Sequence, residues 1–148
     1  MKAALLSLAL LSSIANASDL PKELQSKIGK TGTLTTTYEG KVYESESNIP
    51  CVVTTSEYSD TSIVLDASVY FTPVAHLDEE TTVEKNGTKT IYTLNDSGKR
   101  PGGSACGDYG ILSSYKKTLE VTNNSVAIRE KFTCNLFERN DYLRICKF

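Results

Sequence analysis

Lys117 and Glu130 are the residues of this chain whose placement most needs a chemical reason. Asn123-Asn124 separates two alternating runs, 115–122 and 125–132, and paired asparagines can supply the two positive-φ residues of a type I′ hairpin turn. Closing the turn there sets Val121 opposite Val126, Leu119 opposite Ile128, Lys117 opposite Glu130 and Tyr115 opposite Phe132. An ammonium and a carboxylate then meet on a face that is otherwise apolar. Opposite charges across a strand pair attract, but desolvating both is expensive. The pair is either a satisfied ion pair near the end of the sheet or an interior polar site that orients one group of a ligand. Tyr115, Lys117, Leu119, Glu130 and Phe132 are therefore the candidate ligand contacts.

Other reactive types are thinly spread. His76 is the only histidine and falls in an expected loop, where it is either solvated or a rim contact. Lys99-Arg100-Pro101 reads as a solvated turn or as a contact for an anion or a partner. Gly102-Gly103-Ser104-Ala105-Cys106 has cysteine where a nucleophile elbow needs its second glycine, and one histidine leaves few ways to build a triad. Asp66, Asp78, Glu79, Glu80 and Asp108 show no spacing suited to acid–base work. No enzyme activity, cofactor or metal is expected. The chain carries 16 basic and 18 acidic residues with no basic cluster beyond Lys99-Arg100, which argues against nucleic acid as a partner.

Residues 1–17 read as a signal peptide: Lys2, an apolar run over 3–11, and Ala15-Asn16-Ala17 as a small-residue cleavage site. That run is too short to span a bilayer. Export, to the periplasm or outside the cell, is the expectation, with the exported chain starting at Ser18. Its four cysteines, Cys51, Cys106, Cys134 and Cys146, form an even set without the close spacing of a zinc site, so two disulfides are expected.

These residues must be held by strands. After a short helix and lead-in over 18–30, in which Leu20, Leu24 and Ile28 share a face and Gly29 is the stop, the pattern is strand-like to the end. Expected strands cover 31–44 (with Gly40 as a bend, or else a hairpin at Glu39-Gly40), 51–58, 62–72, 79–85, 88–94, 115–122, 125–132 and 142–148. Tight turns are expected at Ser59-Asp60, Asn86-Gly87 and Asn123-Asn124, at one end, and longer connections at the other. The third strand should present Ile63, Leu65, Ala67, Val69 and Phe71 on one face.

Eight antiparallel strands in sequence suggest an all-β up-and-down meander over 31–148, closed into a barrel, with a two-sheet sandwich as the alternative. An outer-membrane barrel would put Lys117 or the still more charged opposite face into hydrocarbon, so a membrane-spanning protein is not expected. The architecture resembles the lipocalin-like (calycin) barrels. Gly32-Thr33-Leu34 stands at the family's first-strand G-x-W, without the tryptophan, and Arg144 at its late arginine. The resemblance implies a closed base under a ligand mouth, and so a carrier of one small apolar or amphipathic molecule. The alternative is an interaction or inhibitor module with a filled core, contacting a protein through rim loops that include His76, Lys99 and Arg100.

The meander also implies a pairing. Cys51 and Cys106 lie at the rim, and a loop at Arg139-Asn140-Asp141 sets Cys134 opposite Cys146. Cys51–Cys106 and Cys134–Cys146 are the expected bridges.

Overall fold

A computed structural model describes residues 20–95, 106–107 and 110–148. The expected leader at 1–17 lies outside the described residues, as do Lys99 and Arg100. The strands are β1 (Thr31–Tyr38), β2 (Lys41–Val42), β3 (Ile49–Ser56), β4 (Ser59–Ala67), β5 (Val74–His76), β6 (Thr82–Asn86), β7 (Lys89–Thr93), β8 (Leu112–Thr122), β9 (Ser125–Cys134) and β10 (Glu138–Lys147). All pairings are antiparallel, in the order β5-β4-β3-β1-β10-β9-β8-β7-β6, with β2 against the upper end of β1.

The first strand pairs with the last, as closure requires, yet the barrel is open. No ladder joins β5 to β6, and the sheet is a curled half-barrel. The physical reason lies in the two edges. β5 has three residues, and every residue of β6 is exposed, so β6 has no apolar face with which to cover a neighbour. Side chains span the gap instead: Ala75 and Leu77 share one core with Tyr92 and Leu94, and the Asn95 amide donates to Asp78 Oδ2 at 2.9 Å. That hydrogen bond is the main cause holding the Asp78 carboxyl below the usual range.

The expected helix shrinks to one turn, α1 (Lys22–Gln25), which seats Leu20 and Leu24 in the core and leaves Ile28 half-exposed. Glu23 accepts hydrogen bonds from Thr90 and Tyr92 on β7, and Lys27 donates to the Asn123 carbonyl at 2.9 Å. The turn thus closes the lower end of the concave face.

At Glu39-Gly40 the alternative expectation is met, and four others change. The first run breaks at Glu39-Gly40 into a hairpin, both residues having positive φ (50° and 74°). Glutamate is a poor choice there, but Glu39 exchanges backbone and side-chain hydrogen bonds with Asp141, which offsets the strain. The β3–β4 turn falls at Glu57-Tyr58, after a bulge at Thr55/Ser56. The third strand stops at Ala67, leaving Phe71 exposed, and the β6–β7 turn is Gly87-Thr88. The Asn123-Asn124 hairpin keeps the expected register throughout, but with neither asparagine at positive φ. Its carbonyls are held by Lys27 and the Phe148 N–H.

The disulfides are Cys51–Cys146 and Cys106–Cys134, not the expected pairs. The β9–β10 turn lies at 135–137 rather than 139–141, so Cys134 faces Glu138 while Cys146 faces Val126, at the far end of β9. Cys51 and Cys146 flank β1, opposite Gly32 and Leu34 respectively. Two strands separated by a third normally stand about 9.6 Å apart, yet these Cα atoms are 6.0 Å apart. Gly32 is the reason: a Cβ there would collide with the Lys147 carbonyl oxygen. Its absence lets the sheet fold sharply about β1.

Candidate functional site at the open end

The ladder places concave-face residues in rows. Leu34, Cys146, Val126 and Val121 form the lowest row, with Thr36, Arg144, Ile128 and Leu119 above it. Tyr38, Tyr142, Glu130 and Lys117 follow, then Asn140, Phe132 and Tyr115. The lowest row and the Leu119 and Ile128 of the row above it are apolar and, together with Val53, Ile63 and Leu65, buried. Polarity begins at Arg144 and increases toward the open end.

There the expected Lys117–Glu130 pair is present, with Nζ 3.7 Å from Oε1. It belongs to a larger cluster. The Tyr115 hydroxyl donates to Glu130 Oε1 at 2.7 Å, and Arg144 reaches Glu130 Oε2 at 3.4 Å and Glu46 Oε2 at 3.5 Å. Glu46 comes from a 3₁₀ turn, Glu44–Glu46, folded over the upper end of β1. Ser47 holds that segment in place, accepting from the Thr36 N–H at 3.0 Å and donating to the Tyr43 carbonyl at 2.8 Å. Two cations and two carboxylates balance. Even so, Glu46 Oε2 and Arg144 Nε are buried and meet only each other, at an ion-pair distance of 3.5 Å without hydrogen-bond geometry, and Thr36 Oγ1 is buried with no hydrogen-bond partner, an arrangement that costs stability unless a water or ligand atom completes it.

Beside the charges runs an aromatic rack. Tyr142 stands between Tyr38 (centroids 4.6 Å apart) and Phe132 (6.0 Å, planes 9° apart). The Arg144 guanidinium lies 5.6 Å over the Tyr142 ring, a cation–π distance. Burial, then Tyr38, pushes the Tyr142 phenol up, against the opposing pull of Arg144. Tyr38 donates to Asn140 Oδ1 at 2.8 Å.

Of the expected ligand contacts, Tyr115, Lys117, Glu130 and Phe132 meet at this end, whereas Leu119 is part of the core below. His76 is not in a rim loop. It ends the edge strand β5, with Nδ1 2.9 Å from the Ser62 hydroxyl. Sequence reasoning missed Tyr38, Glu46 and Tyr142. The even positions 142, 144 and 146 of the last strand do alternate, and the correct β9–β10 turn would have set them across from Glu130, Ile128 and Val126. Among the described residues no group of three His, Cys, Asp or Glu side chains could hold a metal, and no helix is long and apolar enough to cross a membrane.

No protein-family model matches the chain, and no curated protein matches it. Two disulfides in a small β half-barrel fit a domain stabilised for an oxidising, extracellular-type setting.

Proposed function

We propose that this protein is an exported, non-catalytic interaction module that meets a protein partner with the open end of its half-barrel. One observation carries the reading: a concave face filled to the level of Leu119 and Ile128 is surmounted by the part-exposed rings of Tyr38, Tyr142 and Phe132, with the largely buried Arg144 beside them. Those types dominate the energetics of protein interfaces, because they combine large apolar area with polar tips. Among the described residues, buried side chains such as Leu34, Leu119 and Ile128 occupy the concave face, which disfavours the small-ligand reading. A ligand would have to be small and polar, lying on Glu130, Arg144 and Glu46, and the buried Thr36 Oγ1 with the loosely closed Arg144–Glu46 pair is what favours that second reading. Export rests on the leader-like segment at 1–17 together with the two disulfides.

The test is sedimentation of the full chain in an extract of its own source, wild type beside Tyr38→Ser/Phe132→Ser. The wild type is expected to run well above its own mass and the double variant at the mass of the free chain. Wild-type protein that runs as a free monomer contradicts the proposal.

A further inference from the structure

We infer that Ile111, Leu136 and Phe137 form a preorganised apolar knob that seats in an apolar socket on a protein partner; this rests on the reading of the open end as a contact surface. The three side chains are 71%, 74% and 85% exposed. They come from two separate segments drawn together at the tip: the residue before β8 and the turn between β9 and β10. Asn135 N–H donates to the Ile111 carbonyl at 2.8 Å, Ile111 N–H to Asn135 Oδ1 at 3.1 Å, and Leu136 N–H to the Ser113 hydroxyl at 2.9 Å. The Cys106–Cys134 bridge ties the start of the turn to the segment leading toward Ile111. A tip pinned in this way loses little conformational freedom on binding.

Both turn residues have positive φ, 51° at Asn135 and 69° at Leu136. Asparagine tolerates that region; leucine does not, at a penalty of roughly five- to thirtyfold in the folding equilibrium. Glycine would relieve the backbone and remove an exposed apolar side chain together. Strain and exposure at one position are what a contact residue, not a stability residue, would show.

The charges around the knob select a protein over a membrane. Among the described residues, Glu138 and Arg139 follow it directly, Lys131 lies 3.6 Å from Asp141 on the adjoining strands, and at that level stand Lys116, across from Lys131, and Glu39, whose carboxylate accepts from the Asp141 N–H. A collar of balanced sign gives anionic lipid no net attraction. Three side chains alone also fall short of the roughly 800 Å² per partner of a stable interface. The half-exposed Tyr38, Tyr142 and Phe132 at the same end extend the surface.

The test places a photoreactive benzoylphenylalanine at position 137 of the full chain, in cells of its source, with position 58 as control. Tyr58 is 94% exposed and sits at the opposite end, on the β3–β4 turn. The expected result is one discrete protein adduct at 137, at least tenfold over that at 58 (about 1.4 kcal/mol per tenfold), lost with Leu136→Asp. Leu136→Gly should lose the adduct while raising the melting midpoint by about 3–5 °C. An adduct the size of a dimer of this chain, equal adducts at 58, no adduct, or a lower midpoint for Leu136→Gly each overturn the inference. So does cosedimentation with phosphatidylcholine or phosphatidylglycerol-containing vesicles that Phe137→Ser abolishes. An adduct kept in Leu136→Asp but lost in Tyr38→Ser/Phe132→Ser removes the knob and leaves the open end as the contact surface. One kept in both removes the two together.

Discussion

Removing Cys51–Cys146 should destabilise the fold more than removing Cys106–Cys134. The bridges span 95 and 28 residues of sequence. In the chain-entropy model, loops of those lengths correspond to about 4.7 and about 3.6 kcal/mol of constraint on the unfolded chain, a gap of about 1 kcal/mol. The native side widens it. Cys51 and Cys146 are buried in the central core beside Leu34, whereas Cys106 is only half-buried, so alanine at the first pair also leaves a cavity. Cys51→Ala/Cys146→Ala and Cys106→Ala/Cys134→Ala, each with the other bridge intact, should therefore differ by about 1.5–3 kcal/mol in urea unfolding. The measurement is the midpoint together with the slope, because a changed slope would mean that the denatured state itself had changed compactness. Equal destabilisation, or a larger loss for the Cys106–Cys134 pair, would refute the placement of the long bridge at the centre of the sheet.

Gly32→Ala should cost at least 3 kcal/mol, on the order of a severe core substitution, because the new methyl meets backbone that cannot move without parting β1 from β10; a thermal melt within 2 °C of wild type would show that the bend does not depend on Gly32. Alkali gives another test. Burial, then Glu23, pushes the Tyr92 phenol up to about 12 from its ordinary 10.0. A folded pKa raised above the unfolded one means that the folded chain holds the proton longer. That contribution is complete below pH 10 and is lost as pH rises from 10 to 12, by about 2 kcal/mol. Urea midpoints should fall more steeply over that window in wild type than in Tyr92→Phe; identical slopes would contradict the burial of this phenol against Glu23.

Much of the sheet was legible because period-2 patterning fixes which residues share a face. The 115–132 hairpin and its cross-strand partners emerge from alternation alone, since a two-residue turn leaves one register that buries Val121, Leu119, Val126 and Ile128 together. The last turn was illegible for the opposite reason. Its positive-φ residues include Leu136, which no turn preference would select, so Arg139-Asn140-Asp141 looked the better turn and every residue of β10 was displaced along β9. The false disulfide pairs and the missed Tyr142 follow from that one displacement. Closure misled differently: alternation identifies strands but not whether edges such as β5 and β6 have enough apolar surface to meet.

Native mass spectrometry of the protein purified from its own source, under conditions that keep complexes intact, tests the central claim most directly. The expected mass is that of the chain with a protein partner and no small molecule retained, with that complex lost in Tyr38→Ser/Phe132→Ser. A one-to-one small-molecule adduct on an otherwise free chain would contradict it, because among the described residues the concave face is occupied by buried side chains such as Leu34, Leu119 and Ile128.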